Sequence, residues 1–180
     1  MNTLAHRYPL IAVGGVILAV ELSACTAGIP SKFVKQAEPG VTLTTLTKNP
    51  GAYQGKTVIL GGVIVEQKEE GGYIWLKVKN RPLDADHVPR MPTSRDDPES
   101  GHYWIIVTRQ GLPKSYKDWA RVTVVGRVTG EKSPQATMGE PVLAALYLQG
   151  WDSKWGGYGQ QDTYESDHSI PVSPQGPKRY

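Results

Sequence analysis

The chain runs TVILGGVIVEQ from Thr57 to Gln67. The apolar content of this stretch is nearly continuous, which suits a strand buried on both sides or the wall of a barrel. Gly61-Gly62 interrupts it in mid-strand. Glycine inside a strand marks a bulge, a sharp bend at a barrel corner, or a close approach of another backbone. The stretch therefore predicts a strand that bends, and a sheet that curves with it.

Four further strands follow from the same periodicity. After a turn at Glu69-Glu70-Gly71-Gly72, YIWLKVK from Tyr73 alternates. Ile74, Leu76 and Val78 face one way, and Trp75, Lys77 and Lys79 face the other. HYWIIVT from His102 is a third strand. RVTVVGRVTGE from Arg121 is a fourth, with Val122, Val124, Gly126 and Val128 inside and Arg121, Thr123, Arg127 and Thr129 outside. PVLAALYLQGW from Pro141 is a fifth. Helical structure is expected only as one or two turns around Leu43–Lys48, stopped by Asn49-Pro50-Gly51, and as a short piece in GLPKSYKDWA. Arg81 to Gly101 is a long polar connection carrying Pro82, Pro89, Pro92 and Pro98. Five strands, a mid-strand bend and one long excursion predict a mainly β fold over residues 42–150, a small five-stranded, OB-like, partly open barrel. An immunoglobulin-like sandwich needs about seven strands.

Composition agrees with one small β-rich domain. The chain has 20 Gly and 14 Pro in 180 residues, and Trp and Tyr far outnumber the lone Phe33. The net charge of +3 is too small to argue for a nucleic-acid partner. A single cysteine excludes an internal disulfide and any multi-cysteine metal site.

That cysteine sits at the end of an address. His6 and Arg7 give a positive start, and Leu10 to Val20 carries no charge. Eleven residues make a helix of about 16 Å, against a bilayer core of about 30 Å. The run is too short to span and fits a secretory signal peptide over residues 1–24. Leu22-Ser23-Ala24-Cys25 looks like a bacterial lipobox. Small Ser23 and Ala24 open the bond before Cys25 to a peptidase, and Leu22 fills its apolar pocket. The thiol of Cys25 is the nucleophile that takes a diacylglycerol, and its freed amine takes an N-acyl chain. Each buried CH₂ contributes about 0.8 kcal/mol, so two or three chains on one residue anchor firmly. Thr26 follows at position +2, where aspartate would retain an inner-membrane protein. Thr26 thus directs the chain to the outer membrane in an envelope of two membranes. Residues 25–41 read as a lipidated tether too polar to fold alone.

The mature region resembles the Slp family of starvation-inducible outer-membrane lipoproteins. The residues that carry the resemblance are Leu22-Ser23-Ala24-Cys25, Ile29-Pro30, NPGAYQGKTVILGGVIV from Asn49, Arg81-Pro82-Leu83-Asp84, GRVTGE from Gly126 and PVLAALYLQGW from Pro141. The resemblance implies a lipid-anchored protein on the periplasmic face of the outer membrane, linked to envelope integrity under starvation or acid stress. It implies no catalytic residues. Beyond the lipid on Cys25 no cofactor is expected, and the partners expected are the membrane, an envelope protein or peptidoglycan.

Direct searches for chemistry are thin. Asp84, Asp86 and His87 form one acidic-imidazole cluster, and Asp96, Asp97, Glu99 and His102 a second. Carboxylate with imidazole suits divalent metals, but neither cluster has the spacing of a helical zinc site. No metal site is expected there, nor at Asp167-His168. No nucleophile elbow and no phosphate-binding glycine loop are present. The face of Trp75, Lys77 and Lys79 is expected to be solvated, with glycan or a partner protein as the alternative ligand. Residues 151–180 are expected as an aromatic, Gly- and Pro-rich tail, with WDSKWGGYG packing on the domain and SIPVSPQGPKRY disordered.

Overall fold

The computed structural model describes residues 28–91, 99–130 and 139–166. Three short helices precede the sheet: α1 (Ser31–Gln36), α2 (Leu43–Lys48) and α3 (Pro50–Tyr53). The strands are β1 (Thr57–Glu70), β2 (Tyr73–Asn80), β3 (His102–Thr108), β4 (Trp119–Val128), β5 (Val142–Ser153) and β6 (Gln160–Glu165), with a 3-10 turn at Lys114–Asp118 before β4. They form one sheet in the order β3-β2-β1-β4-β5-β6. Adjacent pairs are antiparallel. A short parallel ladder then joins Trp104–Ile106 of β3 to Val142–Ala144 of β5. The hydrogen bonds of five strands therefore run in a closed ring, and β6 adds to β5 outside it.

The long first strand explains the ring. On one edge, residues Thr57–Gly62 pair with β4. On the other edge, residues Gly62–Glu70 pair with β2. The two ladders overlap at Gly62 alone, so the strands are strongly staggered. Stagger of this kind tilts and curls a sheet until its edges meet. Glycine is required at the overlap. A Cβ on Gly62 would lie 2.4 Å from the Lys79 carbonyl oxygen and 2.4 Å from Val78 Cγ1. One on Gly61 would lie 2.9 Å from the Arg81 carbonyl oxygen. The bulge expected at the glycines falls slightly later, between Ile64 and Glu66. The glycines themselves serve close backbone approach.

The core lies inside the ring. Val58, Leu60, Leu76, Val78, Ile105, Val107, Val122, Val124, Leu143 and Leu148 are at most 3% exposed. Leu43 and Leu46 of α2 close one end of this cluster. Their helix begins with a reciprocal capping box between Thr42 and Thr45. Asn49 ends it, and Pro50 starts the next turn, as the sequence predicts.

Three expectations need correction. The sheet has six strands, because Gln160–Glu165 within the expected tail pairs with β5. Only Tyr164 of β6 is buried, so the segment lacks an alternating apolar signal. Thr123 and Thr129, expected outside, are nonetheless covered, at 0% and 7% exposed. Thr123 is covered by the 81–91 loop and donates to the His87 carbonyl at 2.6 Å, and Thr129 donates to Val142 O at 3.1 Å. Within the segment read as a tether, α1 packs Phe33 together with Ile29 onto Ile59, Val125 and Tyr147. Its polar composition cannot support folding alone; two apolar contacts with the outer face of the sheet supply what is missing.

Gly62→Ala should destabilise the domain by about 1–3 kcal/mol, the usual cost of overpacking. Gly51→Ala, where an added Cβ meets nothing within 4 Å, is the matched control. Urea denaturation of both variants reads the difference; equal midpoints would refute the role assigned to Gly62.

Candidate functional site

β2 carries Trp75, Lys77 and Lys79, the residues that the sequence placed on a solvated face. Their side chains do point away from Ile74, Leu76 and Val78, as alternation requires. The expected exposure is wrong for Trp75. It is 8% exposed and packs with Trp104, Ile106, Val142 and Ala144 in a second apolar cluster. Trp75 pairs across the ladders with Ile106, and Ile106 with Ala144, so one row of apolar side chains crosses the closing strands. Its indole N–H is buried and has no hydrogen-bond partner among the described residues. An indole buried in this way offers no face for stacking a ligand.

Lys77 is also engaged. Its ammonium lies 2.9 Å from Glu140 Oε1, with only 17% and 13% of the two side chains exposed. Trp104 donates its indole N–H to the other oxygen of Glu140 at 2.8 Å. Lys77 and Lys68 stand 5.5 and 5.7 Å from the centre of the Trp104 ring. The carboxylate thus joins β2, β3 and the entry to β5. Burial opposes its ionisation, but hydrogen bonds from Lys77 and Trp104 and the charges of Lys77 and His102 hold it below the usual carboxylate range. Of the three residues only Lys79 is exposed.

A cleft of about 690 Å³ opens beside this group, lined by Leu43, Thr44, Lys48, Lys77, His102 and Glu140 among others. His102 has its pKa lowered, by burial first and by the positive charge of Lys77 and Lys79, with Glu140 opposing. Sequence reading found His102 but placed it with carboxylates of the 96–99 stretch. Among the described residues the charges that act on it are those of Lys77, Glu140 and Lys79. Glu99 accepts from the Thr44 backbone N–H at 3.2 Å. Asp96 and Asp97 lie outside the described residues, as do Asp167 and His168.

The other acidic cluster serves its own loop. Asp84 Oδ1 accepts the backbone N–H groups of Asp86 at 3.0 Å and Val88 at 2.8 Å, and His87 takes a positive φ of 61° in the resulting turn. Among the described residues no three His, Cys, Asp or Glu side chains converge as metal ligands. The lipid-attachment residues Leu22, Ser23, Ala24, Cys25 and Thr26 lie outside the described residues.

Sequence reading missed a second surface. WDSKWGGYG was expected to pack its aromatics on the domain, and Trp151 does so at 5% exposure, donating to Thr123 at 2.8 Å. Trp155 and Tyr158 do not: they are 83% and 95% exposed in the β5–β6 connection. Trp155 is tied down by a 2.9 Å hydrogen bond from its indole N–H to Asp118. The glycines around them were the available signal, since Gly156 and Gly159 hold the positive φ of a turn between strands.

The model of the outer membrane lipoprotein Slp family matches residues 22–177. No curated protein matches the chain. Among solved structures, one described as OBody AM3L09 bound to hen egg-white lysozyme is 15% identical with a TM-score of 0.36, over 58% of this chain and 87% of that one.

The lysine-flanked His102 makes stability fall in acid. Its folded pKa is lowered below the ordinary imidazole value of 6.5, so the unfolded chain binds the proton first. The contribution is complete above 6.5 and is lost as pH falls from there towards the folded pKa. His102→Gln should flatten the stability profile in that window, read by thermal unfolding at a series of pH values. An unchanged slope would show that His102 does not sense its lysines.

Proposed function

The chain belongs to the Slp family of outer membrane lipoproteins, and on that premise we propose that Cys25 carries the lipid and that the domain faces the periplasm. It acts there without catalysis, as a structural or interaction component of the envelope under starvation or acid stress. The observation that carries this reading is a coincidence of boundaries. The family match begins at residue 22, the first residue of Leu22-Ser23-Ala24-Cys25. Acylation at Cys25 supplies the diacylglycerol and N-acyl chains, and Thr26 supplies the outer-membrane address. The closed strand ring is read as a small OB-like barrel with β6 appended.

A second reading, contact with a glycan, peptidoglycan or an envelope protein, is favoured by the exposure of Trp155 and Tyr158. Large rings held in solvent are typical anchors of an interface. Binding to purified peptidoglycan or to envelope proteins should weaken at least tenfold in Trp155→Ala, and unaltered binding would remove that surface from consideration.

Metabolic labelling with palmitate tests the main proposal. The wild-type chain should incorporate label and sediment with outer membranes, and Cys25→Ser should do neither. Equal labelling of the two would end the lipoprotein assignment of Cys25.

A further inference from the structure

The lipid-bearing residue and the folded domain are almost contiguous. Ile29 is buried at 8% exposure and Phe33 at 7%. Both pack on the outer face of the sheet against Ile59, Val125 and Tyr147. The Phe33 and Tyr147 rings lie 5.0 Å apart. Both ends of α1 are fixed: Lys32 pairs with Glu165 of β6 at 2.5 Å, and Glu38 donates its backbone N–H to Thr57 at 2.9 Å. The chain is therefore attached to the sheet from Ile29 onward. Cys25 precedes Ile29 by four residues, and four residues span at most about 14 Å. That reach is less than half the thickness of a bilayer core, about 30 Å.

Resting on the reading of Cys25 as the acylated residue, we propose that α1, seated on the outer face of β1, β4 and β5, is the membrane-apposed surface of the domain. Acyl chains inserted in the leaflet hold this face against the headgroups, and the domain does not swing on a tether. Of the α1 side chains only Phe33 is buried, so Val34 and Lys35 are presented to the lipid. Partners must then approach the domain at the leaflet surface, from the sides this face leaves open.

The test uses the full lipidated chain with Val34→Cys carrying a maleimide fluorophore. The Cys25 sulfur, once acylated, is a thioether and does not react. The protein is reconstituted in phosphatidylethanolamine/phosphatidylglycerol vesicles bearing a nitroxide on the lipid headgroup. The second variant adds 20 Gly/Ser residues between Gly28 and Ile29, which extends the leash by about 25 Å on average and leaves α1 docked. Quenching should be several-fold stronger without the insertion. Equal quenching overturns the proposal. Intact mass then separates the causes: an acylated Cys25 confines the failure to membrane apposition, and a bare Cys25 removes the anchor reading as well.

Discussion

The architecture depends on one close approach, at Gly62, where β1 is flanked by β2 and β4 at the same residue. Before Gly62 this strand pairs with β4, and after it, but for the bulged Val65, with β2. A side chain there would enter the Lys79 carbonyl. Without one, the two half-sheets can be offset by most of a strand length, and the offset forces curvature. Curvature brings β3 to β5, whose parallel ladder is only Trp104–Ile106 against Val142–Ala144. The polar group around Glu140 sits at this seam. Glu140 takes the Trp104 indole N–H and pairs with Lys77, so a charge-assisted cluster brackets the shortest ladder of the ring.

The ring has an inside that is apolar and an outside that must be dealt with piece by piece. α1 covers Ile59, Val125 and Tyr147. The 81–91 loop covers Thr123, and it is held there by Arg121, which donates to the Pro89 carbonyl and pairs with Asp152 at 2.5 Å. Burial resists ionisation of Asp152, yet the Gly159 N–H and the Arg121 guanidinium keep its carboxyl below its ordinary range. Gln149, fully buried, meets its hydrogen-bonding needs through Tyr147, Gln160 and the Gln161 carbonyl. These polar residues sit on the outer layer because each has a partner, as buried polar groups require.

Local signals made much of this legible. Alternation in YIWLKVK assigned the inward residues Ile74, Leu76 and Val78, and the Gly61-Gly62 pair announced a curved sheet. Direction and exposure proved to be separate questions. Trp75 points outward as read, but it is buried in a row with Ile106 and Ala144 that only the strand order brings together. Thr123 escaped for the same reason, since nothing in RVTVVGRV tells of a loop from 36 residues earlier in the chain. β6 escaped because one buried tyrosine in QQDTYE is no pattern. The lysine surroundings of His102 depend on Lys77 and Lys79, its neighbours on the adjacent strand, together with the entry to β5. The proposed lipid site, by contrast, is a linear motif from Leu22 to Thr26 whose reading calls on no fold.

Closure of the ring through the short parallel ladder is the claim on which the fold and its sidedness rest. Backbone amide hydrogen exchange, followed by NMR on the soluble domain with cross-strand contacts assigned, tests it most directly. The Trp104 amide, which donates to the Pro141 carbonyl at 2.8 Å, should be protected as strongly as the amides of β1 and β4, with a contact between Ile105 and Leu143. Rapid exchange at Trp104 and no Ile105–Leu143 contact, in a domain whose antiparallel ladders remain protected, would contradict the closed ring.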